Sequence, residues 1–321
     1  MGRHVLAWTA AIGLFAGLLA APATAETLKL AIGQRGNWEN SPAHLGQEAG
    51  IFKKHGLDLE ILYTQGGGET MQAVLSGSVD IGIGVGTPGV MTAFAKGAPV
   101  RMIANSTTGA NDLYWYVPAD SPIKAMADAG GHSIAFSTNG SSTNVTVLGL
   151  MKTLGIQATP VATGSPASTF TQVMSGQVDV GWASPPFGIQ ALQAGKIRVV
   201  ARGSDVPSLR NQTVRVMITS APVLEEKKDA IGRFLQAYGE TLDWMYADPA
   251  AVAAYAKWVE VPPVIAERVR NDFYPKENLR LNRLAGIDAA MTDAVAFKFL
   301  AAPLSQDQLA TLVQYPTKPT E

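Results

Sequence analysis

The sequence makes one statement twice. The phrase SGSVDIGIGVGTP at residues 76–88 returns in outline as SGQVDVGWASPPFG at residues 175–188. With Gly77 set on Gly176, Val79 falls on Val178, Asp80 on Asp179, Gly82 on Gly181 and Gly89 on Gly188. After a slip of one residue, Ala95-Lys96-Gly97 lies beside Gln193-Ala194-Gly195, and both copies run into β-rich segments at 100–104 and 197–201. Such a duplication restricts the fold more than any bulk property: the chain holds two similar α/β lobes, with the phrase at equivalent points of each. The tail of the first copy, Gly84 to Gly89, also satisfies G-x-G-x-x-G. That pattern alone is weak, and a dinucleotide loop leaves the second copy, which lacks those glycines, without a role.

The surroundings of the two copies repeat one plan. Residues 28–32 read as a strand, followed by the polar loop 33–40, then Ser41 as an N-cap and Pro42 at the first helical position, where its missing N–H costs nothing. The helix is expected to run on to a stop at Gly56, and Leu57, Leu59 and Ile61 alternate with Asp58 and Glu60 as a strand does. In the second half, 133–136 is the strand, 137–143 the polar loop and 144–154 the helix, stopped by Gly155. Strands alternating with helices predict a parallel or mixed sheet covered on both faces. Ser-Gly in each phrase reads as a helix stop, the aspartates as turn caps and Gly82 and Gly181 as points of close backbone approach. Both aspartates are thus read as structural. From Glu225 onward, long helical patterns such as 230–246 and 264–271 have no counterpart in the first half.

At 321 residues the chain suits two domains, and 47% hydrophobic against 16% charged residues describes an ordered protein. A net charge of −1 offers no basic footprint for nucleic acid. Arg3, the apolar run 5–20 and Ala23-Thr24-Ala25 have the three-part layout of a cleaved secretory signal, so residues 1–25 are expected to be removed and the mature chain to be one unit more negative. The sequence has no cysteine, which excludes thiolate catalysis, thiolate metal sites and a lipid-modified cysteine. His44, His55 and His132 show no metal spacing, and no nucleophile-elbow, zinc-protease or P-loop motif is present; neither metal nor cofactor is expected.

The stretch Ala49-Gly-Ile-Phe-Lys-Lys-His-Gly-Leu-Asp-Leu-Glu60, with the two SGxVDxG phrases, resembles the solute-binding proteins of sulfonate, nitrate and taurine importers, a family that includes binders of the thiamine pyrimidine precursor. The resemblance covers 26–271. It implies an α/β, type II periplasmic-binding-protein fold: two lobes joined by two crossing strands, with the ligand in the cleft. The run LYWYV at 113–117 then looks like the first crossing and VRVMIT at 214–219 like the return, which places lobe one at 26–113 plus 218–321 and lobe two at 114–217. The implied partners are a small organic anion and an ABC permease in the inner membrane. A soluble periplasmic monomer without enzymatic activity is expected. A ligand sensor subunit of the same fold shares all these features, and so does a pyrimidine-precursor-binding protein.

On this plan the segments just past the phrases, Gly84 to Pro88 and Ala183 to Phe187, are expected to be unlike walls facing one ligand. Loop-to-helix junctions at 37–41, 66–70 and 140–143 can present free N–H groups to a sulfonate or carboxylate. Candidate ligand contacts are Arg35, Gly36, Trp38 and Ser41 in the first loop, and Gly67, Gly86 and Thr87 around the first phrase. Gly140, Ser141, Ser142 and Thr143 open the second-lobe helix, Trp182, Ser184 and Phe187 follow the second phrase, and Arg215 lies on the returning strand. One hydroxyl suffices for a cap, so three in a row favour ligand contact. Arg35 and Arg215 are equally compatible with bidentate oxyanion contacts and with ordinary solvation. Trp38, Trp182 and Phe187 point to an organic ligand body, whereas Trp244 and Trp258 read as core.

Overall fold

The computed structural model describes residues 25–281 and 284–316, so all but the last residue of the expected signal segment lies outside the described residues. The first half follows its periodicity: β1 (Glu26–Gly33), α1 (Pro42–Glu48), α2 (Ile51–Lys54), β2 (Leu57–Thr64), α3 (Gly67–Leu75), β3 (Ile81–Gly86), α4 (Thr87–Ala95) and β4 (Val100–Thr108). The single helix expected up to Gly56 is two, because Gly50 adopts φ 74° between them. Ser41 does not cap α1; its backbone is already helical and its hydroxyl donates to the Trp38 carbonyl at 2.7 Å.

The second unit repeats the order: β5 (Tyr114–Pro118), β6 (Ser133–Phe136), α5 (Ser142–Leu154), β7 (Thr159–Ala162), α6 (Pro166–Met174), β8 (Gly181–Ala183), α7 (Ile189–Gln193) and β9 (Ile197–Arg202). The chain then returns through β10 (Thr213–Ser220) to α8 (Ala221–Glu226), α9 (Lys228–Ala247), α10 (Pro249–Trp258), α11 (Pro263–Phe273), α12 (Ile287–Ala296) and α13 (Gln306–Leu312).

The first sheet has the order β2-β1-β3-β10-β4, with β10 antiparallel to both neighbours and β1 parallel to β2 and β3. In the second unit β5 lies antiparallel between β8 and β9, and β6 pairs in parallel with β7. A bridge between Ile134 and Val180 joins these two pieces into the order β7-β6-β8-β5-β9, the same arrangement as the first sheet. The duplication in the sequence is therefore a duplication of topology, and the fold is two α/β lobes. The chain passes between the sheets through 109–113 and back through 203–212. The run 113–117 is thus not a crossing, since Tyr114–Pro118 pairs with β8 and β9 with its aromatic residues wholly buried, and the expected return at 214–219 is likewise β10, held between β3 and β4 of the first sheet.

Each face of the first sheet is covered. Leu28, Leu30, Ile32, Ile81 and Ile83 pack with Trp38, Phe52 and the buried stripe of α9. Ala31, Val85, Val216 and Ile218 pack on the other side with α3, α4, α12 and α13. The phrase aspartates clip parallel neighbours together: Asp80 Oδ2 accepts the Lys29 N–H at 2.9 Å, and Asp179 Oδ2 accepts the Ser133 N–H at 2.8 Å. Their role is structural, as read from sequence, but the bond is to the adjacent strand and not to their own turn. No helix among the described residues is long and apolar enough to cross a membrane.

Candidate functional site

Parallel strands end at a common edge, and in each lobe that edge is where loops lead into helices. Here the two edges face one another across a small polar cavity lined by Gly33, Gln34, Asn40, Gly67, Gly84 and Arg215 of the first lobe, Leu113 of the crossing segment, and Ser137, Ser141, Ser142 and Thr143 of the second. The lobes are closed upon one another. Gly68 N–H donates to Thr138 Oγ1 at 3.0 Å, and a Cβ built on Gly89 would come within 2.6 Å of the Gly140 carbonyl oxygen. One at Gly86 would overlap the same oxygen. In this closed arrangement the cavity leaves about 20 Å³ for the centres of water-sized molecules, roughly one or two waters' worth.

Two helix N-termini from opposite lobes reach the cavity, α3 at Gly67 and α5 at Ser142, each carrying unsatisfied N–H groups and a partial positive charge. The second-lobe hydroxyls divide their tasks. Ser141 Oγ caps α5 by accepting the Asn144 N–H at 3.2 Å, while Thr143 Oγ1 accepts the Ser137 N–H at 2.8 Å and sits 2.9 Å from both Ser137 Oγ and Ser141 Oγ. Among the described residues Ser142 Oγ makes no hydrogen bond, so of the three it is the one available to a guest.

Arg215, on β10, lines the cavity but is not a bare cation. Its Nη1 donates to Glu39 Oε1 at 2.7 Å and its Nη2 to Asp112 Oδ1 at 2.5 Å, with all three side chains buried. Burial pushes the Glu39 carboxyl up to about 7 against the pull of the guanidinium. For Arg215 burial works in the opposite sense, and the attraction of Asp112 and Glu39 outweighs it, holding the guanidinium above its ordinary value. Asp112 Oδ2 accepts Ser184 Oγ at 3.2 Å, and Ser184 Oγ lies 2.8 Å from the Tyr274 hydroxyl, so the cluster links both lobes to the crossing segment. Asn40 donates through Nδ2 to the Gly33 carbonyl at 2.6 Å, which leaves its buried Oδ1 without a partner among the described residues.

The structure thus brings Gly67, Ser141, Ser142, Thr143 and Arg215 to the cavity, with Gly86 and Gly140 forming the contact between the lobes beside it. It places the other candidates elsewhere. Trp38 is wholly buried, edge-on to Tyr246 and Tyr255, and donates from Nε1 to the Tyr246 hydroxyl at 3.0 Å. Trp182 is wholly buried in the second-lobe core. Neither ring is an apolar wall of the cavity, because the cores on the far sides of the strands claim them. Arg35 lies over the Trp258 ring and donates to the Trp258 carbonyl at 3.1 Å, while the Gly36 carbonyl accepts the Tyr255 hydroxyl at 2.7 Å. Ser41 and Thr87 donate to the carbonyls of Trp38 and Thr213, and the Phe187 carbonyl accepts the Tyr114 hydroxyl. Ser184 belongs to the Asp112 network behind the site.

The second wall comes from the loop after β6, not from the tail of the second phrase as expected. Sequence reasoning missed Asn40, Ser137 and the acids Glu39 and Asp112. The loop after β1 was already singled out, and the equivalence of that loop to residues 137–143 was the signal that pointed to Ser137. For Asp112 there was none.

The family model described as NMT1/THI5 like matches residues 37–252. A protein of Escherichia coli named for binding aliphatic sulfonates is 28% identical over 204 residues, and the match spans 62% of each chain. A 4-amino-5-hydroxymethyl-2-methylpyrimidine phosphate synthase of Saccharomyces cerevisiae is 24% identical over 266 residues, covering 76% of this chain and 74% of its own. Among solved structures, the alkanesulfonate-binding protein of Xanthomonas axonopodis pv. citri, bound to MOPS, shares the fold with a TM-score of 0.76 at 20% identity, covering 92% of this chain and 99% of its own.

Proposed function

The chain belongs to the NMT1/THI5-like family, and from that premise we propose that it is a periplasmic receptor that captures a small organic anion and delivers it to an ABC importer. The observation that carries this reading is the convergence of two helix N-termini from opposite lobes on one polar cavity, with the free Ser142 hydroxyl beside them. Such donors hold a sulfonate or carboxylate without a bare cation. The similarity to sulfonate-binding proteins supports the sulfonate, with taurine as a first candidate, ahead of aromatic and aliphatic carboxylates. The function is binding and not catalysis. A guest that touches both walls favours lobes that have approached each other, less tightly than here because this cavity admits only one or two waters, and only its higher affinity for that state drives closure.

A thermal-shift panel of sulfonates and carboxylates tests the reading. A ligand at about a hundred times its Kd adds roughly 2.7 kcal/mol, a rise of several degrees. Ser142→Ala is expected to lose most of that rise while melting like the parent without ligand; Ser141→Ala, which removes a cap, is expected to cost about 1 kcal/mol even without ligand. A panel that shifts nothing defeats the proposal. A second reading, recognition of a pyrimidine precursor, has the similarity to the yeast synthase in its favour, and a shift by the aminopyrimidine alone would establish it.

A further inference from the structure

The buried charges around the cavity do not balance. Arg215 is the only cationic side chain among the buried described residues, and two carboxylates, Glu39 and Asp112, both lie against its guanidinium. With all three ionised the cluster carries a net −1 in a place where solvent cannot screen it. A monoanion entering beside Arg215 would raise the buried charge to −2. Glu39 Oε2 has no hydrogen-bond partner among the described residues, so one oxygen of this carboxylate is buried without a donor of its own. We infer that Glu39 couples anion capture to proton uptake, the site taking in one anion and one proton together.

Of what faces Glu39, burial and the Asp112 carboxylate favour the proton, and the Arg215 guanidinium and Tyr274 hydroxyl oppose it without prevailing. Arg215 approaches from β10 and Asp112 from the crossing segment; Tyr238 of α9 donates to the Glu39 carbonyl at 3.1 Å. Tyr246 of α9, Tyr255 of α10 and Tyr274, just after α11, complete the charge environment, and burial holds all four tyrosines neutral by raising them above their ordinary range. Asn37 Nδ2, 3.4 Å from Glu39 Oε1, is a neutral donor. Glu39 itself, lifted by burial to about 7, is free to gain its proton near neutrality. A neutral Glu39 leaves Arg215 paired with Asp112 alone, and the site then has no net charge to repel the guest.

This inference rests on the anion-receptor reading above, and one experiment separates the two. Ethanesulfonate, which is ionised throughout, is titrated calorimetrically between pH 5.5 and 8.5 in pairs of buffers with different ionisation heats. The wild type is expected to take up close to one proton per anion at pH 8, with Kd rising about tenfold per pH unit above 7. Glu39→Gln is expected to show no proton uptake and no such slope. The neutral analogue ethanesulfonamide is expected to bind without proton uptake. A wild-type Kd that is flat with pH, uptake that survives in Glu39→Gln, or no binding of ethanesulfonate at pH 5.5 each overturns the inference. The wild-type buffer comparison decides the matter even if the variant does not fold. The broader reading falls only if the whole sulfonate and carboxylate panel is inert.

Discussion

A single carboxyl group shows how burial and charge compete in this protein. Among the described residues the Glu39 carboxylate accepts hydrogen bonds only from Arg215 and a distant Asn37 amide, both on Oε1, yet it is fully shielded from solvent. Its acidity is lowered in the folded state, so between the unfolded value of 4.5 and about 7 the folded chain holds a proton that the unfolded chain has released. The sign follows: the folded state binds more protons over that window, so stability is greatest below it and falls as pH rises through it, levelling off above about 7. The contribution of this group between pH 5 and pH 7.5 is about 2 kcal/mol, to be read from urea melts at those two values. Glu39→Gln should flatten the difference by that amount; an unchanged slope would show that Glu39 is ionised in the fold at pH 5. The same residue is what turns Arg215 from a bare anion site into a compensated one.

At the scale of the element, the repeated phrase is a device for packing a helix against the strand that follows it. Gly77 and Gly176 end α3 and α6 with φ of 74° and 75°, where a side chain would meet nothing and pay only backbone strain. Gly82 and Gly181 stand for a different reason. A Cβ on Gly181 would lie 2.6 Å from the Tyr116 ring and 2.8 Å from Val173 Cγ2, and one on Gly82 would lie 2.9 Å from Val74 Cγ2. The two kinds of glycine are separable by denaturation: Gly176→Ala is expected to cost about 1 kcal/mol and Gly181→Ala about 2–3 kcal/mol or more, since overpacking displaces a wholly buried strand. A larger loss at Gly176 would contradict this division. The same pair of roles in both phrases accounts for the two glycines that the copies share.

For the molecule as a whole, the glycines at the meeting of the lobes decide how far the cleft can shut. Gly89, in the first turns of α4, lies against the Gly140 backbone of the opposite lobe, and a methyl group there cannot be accommodated with the lobes together. Gly89→Ala should leave the unliganded melting point undiminished, because alanine favours the helix. It should nevertheless prevent the ligand-driven compaction that small-angle scattering is expected to record for the wild type; full compaction of the variant would refute the role given to this contact. The doubling of topology, the helix N-termini after β6 and β2, the structural aspartates and the Ser141–Thr143 run were all legible in the chain, because periodicity, turn chemistry and capping act over a few residues. The runs 113–117 and 214–219 read as crossings and are sheet strands for the same reason: a strand's own residues do not say which neighbours it will have. The aromatic residues misled likewise, since Trp38 and Trp182 occupy loop-proximal positions in sequence, yet their rings turn into separate cores. By itself, then, the sequence determined two repeated α/β lobes and where their helices begin. Only the tertiary structure decided which of those beginnings share a cavity and that Arg215 arrives there already paired, because charge balance and burial depend on groups 103 and 176 residues away along the chain.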